Sequence, residues 1–241
     1  DFIGVCMDQL VNNAAKMRYM FGGQVKVPFT MMTRIGAGFG AAAQHSESYY
    51  SIFSHIPGLK GVAPSDAYTA KGLLAACIRD DDPVVFFEHK GLYGISGPVP
   101  EEPYVLPIGK ARTIREGTDI TLVGISKMTW VANDAAEALA KEGISCEVID
   151  LLSISPIDYD HINESVRKTH RLVVVDEDTP VCSLASEICA RVAEEEFDYL
   201  DAPPSRVTAP HTPVPYSRAM ENEYMPNETR VIATVKKLIN R

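Results

Sequence analysis

Apolar residues recur along this chain in two rhythms. Residues 7–21, "MDQLVNNAAKMRYMF", place Leu10, Ala14, Met17 and Phe21 at helical spacing, and Gly22-Gly23 provides a stop. Residues 25–33 form an apolar run that predicts a buried strand. The segment 46–56 predicts a short helix capped by Ser46 or Ser48, and 59–64 a short strand. Ser65 is placed to cap a helix over 66–79, and "PVVFFEH" (83–89) predicts another strand. After a Gly- and Pro-rich stretch, 90–109, a second series begins. It predicts strands at 119–126, 145–151, 171–177 and 205–210, with helices at 128–142, 157–168, 183–195 and 228–240. Strands alternating with helices predict parallel sheets covered by helices. The fold class is therefore α/β, with two parallel-sheet units. Their expected limits are 1–98 and 113–241, joined by a linker over 99–112.

The chain has 241 residues, 46% of them hydrophobic and 23% charged, the composition of a globular protein. Its net charge of −9 argues against binding nucleic acid or anionic membrane, which require clustered positive charge. No apolar run reaches membrane-spanning length. The five cysteines, Cys6, Cys77, Cys146, Cys182 and Cys189, are scattered and contain no C-x-x-C pair. That excludes a disulfide framework or zinc site and suits a reducing, cytoplasmic setting. The opening "DFIGVCMDQLVNN" is apolar from its first residues and lacks an initiator Met. The expectation is a sequence that starts inside a domain.

The stretch "GAGFGAAAQHSE" (36–47) raises the main chemical question. Gly36, Gly38 and Ala41 have the G-x-G-x-x-G/A spacing of a dinucleotide loop. The next residues, Gln44 to Ser48, are polar where a dinucleotide fold packs an apolar helix. The glycines equally suit positive φ and a close approach by another chain or a cofactor. His45 follows this turn at the end of a buried strand, where α/β proteins place ligands. It is either a hydrogen-bonded loop histidine or a group that donates and accepts protons near neutral pH.

Three blocks carry a family resemblance: "MDQLVNNAAKMRYMFGG", the stretch from "GAGFGAAAQHSESYYSIFSHIPGLK" to "FFEHKGLYG", and "RLVVVDED". Together they resemble the β subunit of a thiamine-diphosphate-dependent 2-oxo acid dehydrogenase component, over essentially the whole chain. "MRYMFGG", "AAQHSES" and "TAPHTPVP" resemble the acetoin dehydrogenase branch more than the pyruvate or branched-chain branches. The resemblance implies an incomplete transketolase-type pyrimidine-binding domain followed by a transketolase C-terminal-type domain. It also implies an α₂β₂ heterotetramer whose α subunit holds the diphosphate and its Mg²⁺, docked on a lipoyl acyltransferase core through that core's subunit-binding domain. The β-subunit glutamate that activates the aminopyrimidine has no match here and is expected upstream of Asp1. Without it, the chain as given is expected not to activate the cofactor.

The resemblance assigns roles to particular residues. Phe2 matches an aromatic packed against the aminopyrimidine; otherwise it is a fraying terminal residue. His45 matches the histidine that faces the thiazolium adduct and supplies a proton during transfer to the lipoyl disulfide. Phe29, Cys77, Ile78, Asp80 and Asp82 match a loop that binds a monovalent cation, usually K⁺, mainly through backbone carbonyls. Otherwise "RDDDP" is a solvated turn. His89 is expected as a cap or interface residue, His211 in an extended interface segment, and His55, His161 and His170 as ordinary packing or surface residues. A noncatalytic assembly module and a nucleotide-binding protein are the rival readings.

Overall fold

Two sheets pack around a shared core in a computed structural model that describes residues 1–240. The first sheet has the order β1 (Thr30–Ile35), β3 (Val84–His89), β2 (Lys60–Val62), β7 (Ser153–Ser155). β1, β2 and β3 run parallel, and β7 pairs antiparallel with β2. The second sheet has the order β4 (Arg112–Arg115), β6 (Cys146–Asp150), β5 (Ile120–Gly124), β8 (Leu172–Asp176), β9 (Ser205–Thr208). It is parallel except for β4.

Successive side chains on a strand face opposite sides, and here each face has its own partner. Val85 and Phe87 of β3 enter a core shared with the second unit, alongside Leu151, Ile154, Val174, Leu184 and Ile188. Val84 and Phe86 enter a separate cluster with Leu73 and Cys77 of α3 (Ala67–Arg79). On β8, Leu172 and Val174 face the shared core, and Val173 and Val175 face a third cluster. That third cluster takes Met128, Ala132, Ala136 and Leu139 from α4 (Lys127–Ala140) and Val231, Val235 and Leu238 from α8 (Glu228–Ile239). The remaining helices are α1 (Ala15–Met20), α2 (Tyr50–Ser54), α5 (Tyr159–Thr169), α6 (Leu184–Glu195) and α7 (Arg218–Tyr224).

Most sequence expectations match these elements to within a few residues, with informative departures. The helix expected over 7–21 follows a 3₁₀ turn, Ile3–Cys6, and runs as a wide π-helical stretch, Asp8–Ala14, before α1. Asp66, not Ser65, caps α3: its carboxylate accepts the Thr69 N–H at 2.7 Å, and the Thr69 hydroxyl accepts the Asp66 N–H at 3.1 Å. The Ser65 hydroxyl instead donates to the buried carboxylate of Asp150 at 2.5 Å. The two antiparallel strands and α7 were not expected. β4 carries a single aliphatic residue between arginines, and β7 is only Ser-Ile-Ser, so neither shows a strand pattern.

The stretch between the units is strapped to α3. Leu106 N–H donates to the Gly72 carbonyl at 3.1 Å, and the Tyr68 and Tyr104 rings stack at 4.7 Å. A polar seam adds to this union. Trp130 Nε1 donates to the Ser65 carbonyl at 2.7 Å, and Arg112 bridges Asp66 and Asp150 at 2.6 and 2.9 Å. Among the described residues no helix is long and apolar enough to cross a membrane.

Candidate active site

The turn that follows β1 sets the site. Gly36, Gly38 and Gly40 all have positive φ, and the Gly36 N–H returns to the Glu47 carbonyl at 3.2 Å, closing the segment on itself. Ala42 has φ 61 and ψ −175, a conformation that strains any residue with a Cβ. His45 ends the short 3₁₀ turn Ala43–His45 that follows, with its side chain exposed. Its ring meets Phe2 edge-on, centroids 5.3 Å apart, and Phe2 is 62% exposed. The two positions are thus brought together on one open face. The Lys90 ammonium donates to the His45 carbonyl and sits 3.0 Å from the Asp1 carboxylate. Burial lowers the Lys90 pKa. The hydroxyls of Ser46 and Ser48 are buried beside His45 without a hydrogen-bond partner among the described residues.

The backbone N–H groups of the glycine turn point at carboxylates of the second unit. Glu177 Oε1 accepts the Ala37 N–H at 2.6 Å. Glu221 accepts the N–H groups of Gly38, Phe39 and Gly40 at 2.7, 3.2 and 2.7 Å. Such a nest of N–H groups is the feature that holds phosphate in nucleotide-binding loops. Here the protein's own anions fill it, which removes the nucleotide reading.

His89 links the turn to the same acids. Its Nδ1 accepts the Gly91 N–H at 3.0 Å, so the proton lies on Nε2, which donates to Glu177 Oε2 at 2.6 Å. His89 is therefore both cap and interface residue. Burial alone would raise the Glu177 carboxyl, but the imidazole and the Ala37 N–H hold it below its ordinary value. Gly36 leaves room for this ring: an added Cβ would lie 2.4 Å from His89 Cε1 and Nε2.

The acids on either side of Glu177 hold the far flank of the His45 segment. Asp176 accepts the Tyr50 hydroxyl, and Asp178 accepts the Ser51 hydroxyl at 2.6 Å. Complete burial, and then the nearby Asp178 charge, push Asp176 up to about 6. A buried carboxyl with a raised pKa binds its proton more tightly folded than unfolded. Its contribution is therefore fully present at low pH and falls as pH rises from about 4 to about 6, by up to about 3 kcal/mol. Asp176→Asn should remove that slope from a plot of thermal midpoint against pH between 4.5 and 7. Parallel curves for the two proteins would refute the assignment.

The expected cation loop has its side chains already engaged. Lys60 Nζ lies 2.8 Å from Asp80 and 3.1 Å from Asp82, and Arg18 reaches Asp82 at 2.7 Å. The Phe29 carbonyl accepts the Val84 N–H at 2.9 Å, and the Cys77 carbonyl accepts the Asp80 N–H at 3.2 Å. Each of these carbonyls keeps a second lone pair. Ile78 is exposed at the end of α3. No group of three or more His, Cys, Asp or Glu that could hold a metal ion occurs among the described residues. Elsewhere, His211 lies exposed in an irregular segment, 3.2 Å from the Thr179 hydroxyl. His161 contacts the Thr113 hydroxyl at 2.9 Å, and His170 donates to the Tyr199 carbonyl at 2.9 Å.

The family profile of the transketolase pyrimidine-binding domain matches residues 1–96, and that of the transketolase C-terminal domain matches 109–231. The chain is 52% identical over 239 residues to the acetoin:2,6-dichlorophenolindophenol oxidoreductase subunit beta of Bacillus subtilis (strain 168), covering 99% of this chain and 70% of that relative. This chain belongs to the β subunits of the thiamine-dependent acetoin and pyruvate dehydrogenases. The corresponding subunit of Cupriavidus necator is 50% identical over 98% of this chain and 70% of its own length. A mitochondrial pyruvate dehydrogenase E1 component subunit beta-1 from Arabidopsis thaliana is 48% identical over 98% and 66%. The fold agrees with a solved "Split gene transketolase, inactive beta4 tetramer" at TM-score 0.79 and 22% identity, covering 99% of this chain and 72% of that one. As a β subunit of this family, the chain is part of an oxidoreductase that uses thiamine diphosphate, with an α partner in a multienzyme complex.

The acids Asp176 to Asp178 and Glu221 were not singled out as site residues from sequence. A usable signal was present at the first of them: three consecutive acids end the apolar strand "RLVVVDED", where an α/β sheet places functional groups. Glu221 gave none, since it lies in a short helix among polar residues.

Proposed function

We propose that this chain is the β subunit of an acetoin dehydrogenase that cleaves acetoin and passes the acetyl unit to the lipoyl group of an acyltransferase core. The carrying observation is the exposed His45 imidazole beside the exposed Phe2 ring, on a turn held by buried carboxylates. Identities of 52% and 50% to the two acetoin-oxidising subunits support the substrate.

The residues present fit the pyrimidine end of thiamine diphosphate. Phe2 offers an exposed apolar ring for a flat heteroaromatic, and the buried hydroxyls of Ser46 and Ser48, next to His45 in sequence, have no partner among the described residues. The glycine turn has no free N–H cradle, which accords with what the family resemblance implies: a diphosphate and Mg²⁺ held by the α subunit of an α₂β₂ assembly. When bound, the cofactor supplies the carbanion and the electron sink. His45 hydrogen-bonds the reacting oxygen and delivers a proton during acetyl transfer to the lipoyl disulfide. Lys90 fixes the backbone carbonyl from which that ring projects.

A K⁺ ion would bind the carbonyls of Phe29, Cys77 and Ile78 beside Asp80 and Asp82, whose carboxylates are already neutralised by Lys60 and Arg18. Residues 1–98 would form the pyrimidine-binding unit and 113–241 the unit that docks the core's subunit-binding domain. Five free cysteines support a cytoplasmic location.

Pyruvate is the second reading, favoured by the 48% identity to a pyruvate dehydrogenase subunit. Lipoamide reduction by the assembled enzyme with acetoin, pyruvate and 3-methyl-2-oxobutanoate separates them. Acetoin should give the highest kcat/KM; faster turnover of pyruvate overturns the substrate assignment.

A further inference from the structure

The segment from Gly36 to Ser51 carries His45, and both of its flanks are held by carboxylates from the other unit. On the upstream flank, Glu177 and Glu221 take four consecutive N–H groups, Ala37 to Gly40. On the downstream flank, Asp176 and Asp178 take the hydroxyls of Tyr50 and Ser51. Glu221 is the member with the most bonds to the turn: three N–H groups on one carboxylate that is 1% exposed. It comes from α7, far along the chain, and touches the turn rather than the open face.

An anion at this place does something a neutral side chain cannot. Successive N–H groups that converge on one point repel each other unless a negative charge lies at the focus, and charge-assisted bonds are about twice as strong as neutral ones. The three glycines permit the convergent geometry, and Glu221 selects it. Ala42, strained at φ 61, and His45 follow directly. Strain at Ala42 persists only where its surroundings over-determine the backbone.

We propose that Glu221 is a positioning residue: its buried carboxylate, bound to the N–H groups of Gly38, Phe39 and Gly40, sets the turn from which His45 reaches the reacting atoms. The proposal rests on the reading of His45 given above, in that the catalytic consequence runs through this ring. It places an internal anion where a nucleotide-binding loop takes phosphate. It also ties the site's geometry to the packing of α7 on the other unit.

The test uses the assembled α–β enzyme with Glu221→Gln, His45→Ala and the double variant. Glutamine keeps one acceptor oxygen but turns an N–H₂ donor toward other donors. Two activities are compared, reduction of a lipoyl domain and reduction of 2,6-dichlorophenolindophenol. Glu221→Gln should lower the ratio of lipoyl to dye turnover about tenfold, the order expected when a catalytic group is displaced by a fraction of an ångström. In the double variant the ratio should fall no further than in His45→Ala alone, because both changes remove one function. Additive losses, or equal losses in both activities, overturn the proposal. Independently of turnover, hydrogen exchange in the peptide spanning residues 36–49 should speed up in Glu221→Gln. Unchanged protection there overturns the positioning role even if His45 proves catalytic. Faster exchange with no effect of His45→Ala on the ratio instead overturns the reading of His45. If the glutamine variant fails to assemble, Glu221→Asp keeps the charge but shortens its reach, and the same exchange and ratio measurements apply.

Discussion

His45→Ala in the assembled enzyme is expected to leave thiamine diphosphate bound while lowering acetyl transfer to a lipoyl domain by about 10²–10⁴-fold, the range for a lost proton-transfer group. The ring is exposed and meets Phe2, itself exposed, edge-on, so the fold should survive its removal. The backbone of the turn is fixed by other groups: the Lys90 bond to the His45 carbonyl, the closure between Gly36 and Glu47, and the carboxylates of Glu177 and Glu221. Cofactor affinity from fluorescence quenching should therefore change little. Single-turnover reduction of the lipoyl domain should carry the whole loss. Wild-type transfer rates in this variant would remove His45 from the mechanism.

Gly36→Ala should be among the most damaging single substitutions at the site. The new Cβ would stand 2.4 Å from two ring atoms of His89, and the backbone there has φ +103. His89 is 3% exposed, so the ring has little space in which to retreat. Displacing it breaks the 2.6 Å bond to Glu177 and takes from a buried carboxylate one of its hydrogen-bond donors. Leaving a buried polar group without its partner costs about 1–3 kcal/mol, and more when that group is charged. Gly143→Ala serves as the control. It too has positive φ, at +82, but nothing lies within 4 Å of an added Cβ. It should lose only about 1 kcal/mol, the backbone term alone. Similar drops in thermal midpoint for the two variants would show that the contact with His89 does not matter.

Much of the fold was legible because it follows from local periodicity. Strands β3, β5, β6 and β8 are rich in β-branched and other apolar residues, as strands buried on both faces tend to be. Helices α4 and α8 show their buried stripes directly. What the sequence hid depends on partners far away in the chain. Ser-Ile-Ser becomes β7 only because β2 presents a free edge to it, and Arg112–Arg115 becomes β4 through pairing with β6. The site divides in the same way. The glycine turn and His45 lie close in sequence and are visible as a motif, whereas Glu221 meets the glycine turn across more than 180 positions. The motif that looked ready for a phosphate was complementary to an anion, and only the structure identified the anion as glutamate.

β7 belongs by sequence to the second unit and by hydrogen bonding to the first unit's sheet. The stretch between the units looks like a tether, yet cutting it would not yield two independent bodies. One piece would carry a sheet whose last strand had left with the other, and the severed ends would stay joined through that strand, the shared core and the seam around Asp150. The halves are thus joined by a shared strand, core and polar seam as well as by the chain that runs between them.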